Sequence, residues 1–256
     1  MSDYGLDAPG VVRNLALVAI AGIVLALLVW LRVLPPAMTW HLPGGIDLKF
    51  ALLGLGLGPG LGCAVAAGAM VWGSRVGKVR QREQLLDAVP WTGSEQVLDI
   101  GCGRGLMLVG AAKRLQTGVA IGIDLWRAED LAGNRPQAAL DNAEAEGVGD
   151  RVRVETADMR RLPFPPQSFD RVVSRAAIHN LDDPAARAEA IREIARVLRA
   201  GGFAIIDDIR HLAEYNEVFR QAGCTPVRRL DSPAASLAWS LLSFGALRPG
   251  AWLIQR

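Results

Sequence analysis

The sequence predicts an α/β fold: a parallel sheet with helices on both faces, preceded by two transmembrane helices. Three observations carry that reading. Apolar, strand-like runs alternate with helical stretches from residue 96 to 255, which is the signature of strands joined by crossover helices. One of those runs, Val97-Leu-Asp-Ile100, opens straight into a turn with glycine at 101, 103 and 105. Two uncharged apolar stretches, 15–31 and 50–74, come before all of this.

The chain is expected to divide into a membrane anchor at 1–74, an amphipathic linker helix within 75–94 and an α/β domain at 95–256. Arg13 and Arg32 flank the first apolar stretch. With snorkelling flanks, 11–34 is long enough to cross a hydrocarbon core of about 30 Å. Pro35-Pro36 stops that helix, and 35–49 reads as a short loop. The second span, about 50–73, carries glycine at 54, 56, 58, 60 and 62 around Pro59. Gly54, Gly58 and Gly62 fall four apart, and that face is expected to pack on the first helix, with a kink at Pro59. The alternative is a re-entrant segment. A cleaved signal peptide fits less well, because the apolar run is long and a second one follows. Arg75, Lys78, Arg80 and Arg82 follow the second span, whereas the 35–49 loop holds only Lys49. The positive-inside rule then places the α/β domain and the N-terminus in the cytoplasm. The basic cluster could also rest on anionic head groups.

Apolar residues make up 51% of the 256, and mean hydropathy is +0.23, an excess concentrated before residue 74. The remaining 180 or so residues are enough for an independent core. A net charge of +2 gives no case for nucleic acid as a partner. The three cysteines form no CxxC pair, so neither a disulfide framework nor a zinc site is implied, and no metal is expected.

Within the domain, strands are expected at 96–100, 119–123, 151–155, 170–174 and 203–206, with the last two at 226–230 and 250–255. Helices are expected at 105–115, 136–146, 184–198 and 212–222. Pro136 suits a first helical turn, and Gly201-Gly202 reads as a cap after the third of these helices. Trp91 reads as packing, with a pocket lid and an interface anchor as alternatives.

Strand, glycine turn and helix together let a backbone approach a nucleotide closely, because no Cβ intervenes. Asp124 ends the next apolar run, where an acid accepts hydrogen bonds from ribose hydroxyls. A dinucleotide site of the form Gly-x-Gly-x-x-Gly needs its third glycine at 106, and that residue is Leu106. The early third glycine therefore argues against a nicotinamide-dependent oxidoreductase. Cys102 lies inside the turn and reads as a small side chain rather than a nucleophile.

The pattern Asp-x-Gly-x-Gly-x-Gly from Asp99 to Gly105 resembles the first motif of class I S-adenosylmethionine-dependent methyltransferases. Further stretches match in order: Gly122-Ile-Asp124, Ala157-Asp158, Leu162-Pro-Phe-Pro165, Ser168-Phe-Asp-Arg-Val-Val-Ser174 and the run from Arg192 to Gly202. Together they cover about 95–230, and the ubiquinone/menaquinone-biosynthesis type is the nearest in pattern. The resemblance implies a Rossmann-like seven-stranded sheet whose last strand is antiparallel, with S-adenosyl-L-methionine as cofactor. It places Gly101, Cys102, Gly103 and Gly105 along the methionine part and ribose. Asp99 would orient the methionine end, often through water, and Asp124 would hold the ribose hydroxyls. Leu125 would lie beside the adenine, with Asp158 accepting from its amino group and Met159 stacking nearby. Ser174 and Arg175 would stand at the mouth of the pocket. A purely structural role remains open for Asp99, as a brace of the loop, and for Asp158, as a turn cap.

Methyl transfer needs a general base only when the nucleophile carries a tightly held proton. His179 and His211, after the fourth and fifth strands, are the candidate catalytic residues; structural roles are the alternative for both. Asp207 or Asp208 could orient His211, and Tyr215 could face the same pocket. Residues 232–249 hold Leu237, Trp239, Leu241, Leu242, Phe244 and Leu247, with no charge between Asp231 and Arg248. They suit a core element, a lid or a segment lying on the bilayer. With the anchor, they point to a lipid-soluble small-molecule acceptor. A membrane-tethered scaffold that binds the cofactor without turnover is the alternative from another class.

Overall fold

The computed structural model describes residues 2–43, 46–127, 133–242 and 247–256. The chain forms two compact units, Leu6–Lys78 and a larger one in which Val79–Arg256 is joined by the residues up to Gly5.

The smaller unit holds helix α1 (Pro9–Trp30), a hairpin of β1 (Ala37–Leu42) and β2 (Ile46–Ala51), and helix α2 (Leu52–Trp72). A π turn at Gly73–Gly77 follows, and helix α3 (Lys78–Leu86) leads into the larger unit. Pro9–Trp30 and Leu52–Leu86 are long and apolar enough to cross a membrane. α1 and α2 pack backbone to backbone. A Cβ on Gly22 would lie 2.5 Å from the Gly56 carbonyl oxygen and 2.8 Å from Gly60 Cα. The contact face is thus Gly56 and Gly60, and not the expected series Gly54, Gly58 and Gly62, which has open space at every Cβ position. Both series repeat at four residues. The small residues of α1, Ala19, Gly22 and Ala26, select between them, and that choice is invisible in α2 alone.

The expected 35–49 loop is instead a paired hairpin, and Phe50 belongs to its second strand rather than to the span. The register sets Met38 opposite Phe50 and Trp40 opposite Leu48, with Thr39 opposite Lys49 and His41 opposite Asp47. Side chains alternate across a strand, so one face is apolar and the other polar. Gly44 and Gly45 lie outside the described residues. The basic cluster after α2 also changes meaning. Lys78 is buried and pairs with Asp7 at 3.2 Å, and Arg82 is 2% exposed, which leaves Arg75 and Arg80 open to a surface.

In the larger unit, β3 (Gln96–Ile100), α4 (Leu106–Ala112), β4 (Val119–Asp124), α5 (Pro136–Ala145) and β5 (Val152–Thr156) form the first half. β6 (Phe169–Arg175), α6 (Pro184–Val197), β7 (Leu198–Asp208) and α7 (Leu212–Gln221) follow. β8 (Thr225–Arg229), α8 (Pro233–Leu242) and β9 (Gly250–Gln255) complete it. The seven strands take the order β5-β4-β3-β6-β7-β9-β8. β3 to β7 are parallel, and β9 inserts antiparallel between β7 and β8. The fold is the α/β, seven-stranded Rossmann-like sheet that the sequence predicts.

Strand alternation feeds two cores, one on each face. Val97, Ala120, Val173 and Ile205 enter the cluster with α4 and α5. Leu98, Ile123, Val172 and Ile206 enter the cluster with α6 and α7. Gly201-Gly202 does not cap α6, which ends at Val197. The pair sits inside β7, where the register slips between the pairings of Phe169 with Leu198 and of Arg171 with Phe203. Leu237 and Leu241 of α8 are 61% and 69% exposed, so this segment is not a core element. Phe244 lies outside the described residues. Trp91 packs on the core and donates to the Leu86 carbonyl at 2.8 Å.

Candidate active site

The site is built at the carboxyl ends of β3, β4, β6 and β7, where the strand order reverses and open α/β sheets bind ligands. β3 delivers Asp99 and then the glycine turn. Gly101, Gly103 and Gly105 all have positive φ (68°, 51° and 81°), a region that a side chain strains. Gly101 also has no room for a Cβ, which would meet the Ala177 methyl at 2.3 Å, with Met159 Cε near by at 3.8 Å. Cys102 is buried, and its Sγ lies against Gly122, so it is a packing residue. Burial pushes its thiol up, well away from a nucleophile's range.

Asp124, at the end of β4, holds the turn from the side. Its Oδ2 accepts from Gly103 N–H at 2.9 Å, and its Oδ1 accepts from Trp126 N–H at 2.7 Å and from Asn134 Nδ2 at 3.1 Å. A carboxylate offers about four acceptor sites, so one remains, on Oδ2. Leu125 beside it is exposed. Asp99 is 2% exposed, and its Oδ2 has no partner. Desolvation, with a smaller push from Asp124 and against a hydrogen bond from Leu108 N–H, raises it to about 8. Asn134 Oδ1 is also buried without a partner. Two orphaned polar atoms therefore flank one glycine turn, where buried polar groups are ordinarily satisfied. A ligand with a cationic end and hydroxyl groups would satisfy them, which is the donor set of S-adenosylmethionine.

Asp158, after β5, is engaged by Arg160, whose Nε lies 3.0 Å from each carboxylate oxygen. To accept from an adenine amino group, it must first release that guanidinium. Ser174 does not stand at a pocket mouth. It is 1% exposed and donates to the Ile100 carbonyl at 3.0 Å, stapling β6 to β3 just before the turn. Its neighbour Arg175 donates to Asp207 at 2.9 Å and to Gln81 of α3 at 2.9 Å.

The two histidines separate. His179 follows β6, and its Nδ1 lies 2.6 Å from Asp208 Oδ1 at the end of β7. Asp208 also accepts from the His179 N–H, the Ile209 N–H and the hydroxyl of Tyr215. Three protein groups thus fix the carboxylate that fixes the ring, and His179 Nε2 has no protein partner among the described residues. Asp208 orients His179 rather than His211, because the sheet places β6 and β7 side by side whereas His211 turns away at the start of α7. His211 lies 3.7 Å from Glu214, and among the described residues no hydrogen bond or ion pair joins it to Asp207 or Asp208. Among the described residues no cluster suited to a metal exists. Asn134 and Gln81 were not legible as site residues. Asn134 follows β4 by ten positions with no motif around it, and Gln81 lies on the linker helix.

Residues 98–206 match the protein family described as "Methyltransferase domain". "Methyltransferase GfsG" of Streptomyces halstedii is 34% identical over 130 residues, 51% of this chain and 43% of that protein. "Ubiquinone/menaquinone biosynthesis C-methyltransferase UbiE" of Geobacter sulfurreducens is 29% identical over 128 residues, 50% of this chain and 46% of that one. The chain spans about half the length of the curated relatives it matches. Among solved structures, geranyl diphosphate methyltransferase in complex with SAM superposes with a TM-score of 0.58 at 18% identity, covering 78% of this chain and 91% of that one. Residues 98–206 thus match a methyltransferase domain family, and they lie on a Rossmann-like seven-stranded sheet.

Proposed function

We propose that this chain is a membrane-anchored methyltransferase that uses S-adenosylmethionine and acts on a lipophilic acceptor whose nucleophile must give up a proton. The observation that carries the cofactor is the pairing of Asp124, locked to the Gly103 N–H, with the unpartnered buried Asp99 Oδ2 across the same turn. Bound S-adenosylmethionine would supply an electrophilic methyl group on a sulfonium. The protein's share is position, exclusion of water and proton transfer. Asp99 would meet the methionine ammonium, and Asp124 Oδ2 would accept from the ribose. His179 Nε2 would take the acceptor's proton, while Asp208 holds the ring and stabilises the imidazolium.

The anchor is supported by two helices of spanning length and by the path of the chain. The residues up to Gly5 and those from Val79 onward belong to one compact unit, which supports an even number of crossings between them. Exposed Leu237 and Leu241 on α8 support a lipid-soluble acceptor.

Calorimetric titration of the full chain in detergent with S-adenosylmethionine, S-adenosylhomocysteine and NAD tests the cofactor, with Asp124→Ala as control. Saturable binding of the first two, lost in the variant, is expected. Binding of NAD alone overturns the reading. Transfer of labelled methyl only to water-soluble acceptors, with none in lipid extracts, would remove the lipophilic substrate.

A further inference from the structure

The residues up to Gly5 are built into the larger unit, far in sequence from everything else in it. Asp3 is held through its backbone and its side chain together. Its N–H donates to Asn142 Oδ1 at 2.7 Å, and its carbonyl accepts from Asn142 Nδ2 at 3.0 Å, so the α5 amide pairs with it as a strand neighbour would. The same carbonyl accepts from Arg104 Nε at 2.8 Å, and the Asp3 carboxylate accepts from Arg104 Nη2 at 2.6 Å. Arg104 stands between Gly103 and Gly105, at the centre of the glycine turn. Asn142 Nδ2 also grips the Arg104 carbonyl at 2.8 Å.

Tyr4 secures the next link. Its ring is 8% exposed within the core, and its hydroxyl bonds Glu146, just past the end of α5, and, at 3.2 Å, the guanidinium of Arg82 on α3. Two residues thereby tie three separate elements, α3, the glycine turn and α5, to one short segment. On the same side Gly105 rests directly on Ala139 of α5, where a Cβ would approach to 3.3 Å.

We propose that residues 2–5 are a positioning strap for the cofactor turn. They hold Arg104, and through it the left-handed backbone of Gly103 and Gly105, in the conformation that presents Gly103 N–H to Asp124. Asp3 and Tyr4 touch no cofactor in this scheme. They set cofactor affinity by sparing the turn the cost of ordering on binding. The proposal rests on the cofactor reading above only for its affinity arm.

The test uses the full chain in detergent. Asp3→Ala removes the carboxylate link while leaving Tyr4 in the core. Hydrogen exchange of the amides at 101–105, measured without any ligand, should quicken at least several-fold, as expected when a local opening loses a charge-assisted hydrogen bond. Affinity for S-adenosylhomocysteine should fall about tenfold while kcat at saturating S-adenosylmethionine stays near wild type, the pattern of lost preorganisation rather than lost chemistry. Asp3→Ala combined with Arg104→Ala should be no worse than Arg104→Ala alone. Asp7→Ala, outside the strap, should change neither readout. Unchanged exchange at 101–105 in folded Asp3→Ala overturns the proposal, as does exchange that quickens equally across the whole sheet. If the wild-type chain binds no S-adenosylhomocysteine, the cofactor reading fails by itself, and the exchange result still decides the strap.

Discussion

Asp99→Asn should stabilise the unliganded protein near neutral pH while weakening its cofactor site. Burial raises the Asp99 carboxyl from 3.8 to about 8. A carboxyl raised on folding is neutral in the native state while the unfolded chain ionises. Its contribution to stability is therefore complete below pH 3.8 and is lost as pH rises through about 8. At pH 7 some three units of that interval have been crossed, a loss of about 4 kcal/mol at roughly 1.4 kcal/mol per unit. Asparagine cannot ionise, so the loss disappears. Its amide would stand where Asp99 Oδ2 finds no partner, and an unsatisfied buried group costs about 1–3 kcal/mol. The balance is a gain of roughly 1–3 kcal/mol at pH 7, falling to a net loss below about pH 5. Denaturant unfolding of the full chain in detergent, followed by near-ultraviolet dichroism from pH 5 to 9, reads both curves. The wild-type curve should decline with pH up to about 8, and the variant curve should stay level. A variant less stable than wild type at pH 8, or a wild-type curve that does not decline, would refute the assignment of Asp99 as a buried neutral acid. Calorimetry on the same samples should show weaker binding of S-adenosylmethionine.

Three further outcomes are expected. His179→Ala should lower kcat by roughly 10²–10⁴ for an acceptor with a firmly held proton and leave cofactor affinity unchanged; a wild-type kcat would remove the base. Gly56→Val should part α1 from α2, because its Cβ would meet the Gly22 carbonyl at 2.6 Å, whereas Gly58→Val enters open space. Overpacking of this kind costs about 1–3 kcal/mol, visible as a lower unfolding temperature in detergent for the first variant only. Burial would raise Glu146, but hydrogen bonds from Tyr4 and Lys113 and the charge of Arg82 overcome it and hold the carboxyl at about 2. A depressed acid contributes stability above its unfolded value of 4.5 and loses it as pH falls toward 2, so acid should weaken the strap. Glu146→Gln should flatten that acid limb of the unfolding curve.

The parts legible in the sequence are those whose cause is local. Glycine at 101, 103 and 105 announces positive φ whatever surrounds it, and the apolar runs of β3, β4 and β6 announce a sheet buried on both faces. The hairpin between α1 and α2 has an alternating pattern instead, Met38 and Trp40 against Leu48 and Phe50, but Pro43-Gly44-Gly45 and the interspersed charges masked it as a loop. Other choices depended on a distant partner. Gly56 and Gly60 form the contact face only because Gly22 stands opposite. Asp208 looked like a partner for His211, three residues away, and the parallel pairing of β6 with β7 gave it to His179, 29 residues away. Ser174, expected at the mouth of the pocket, is instead a staple to Ile100. Nothing near Asp3 could reveal Asn142, 139 positions later.

That last separation also orders events during synthesis. Asp3 and Tyr4 are made before α1, but their partners Asn142 and Glu146 come 139 and 142 positions later. At ribosomal rates of about 5–20 residues per second, the segment waits on the order of ten seconds without its dock. Arg82, destined for a fully enclosed place, must stay solvated until Tyr4 returns. A segment made early is thus among the last to settle, because its dock is made so much later.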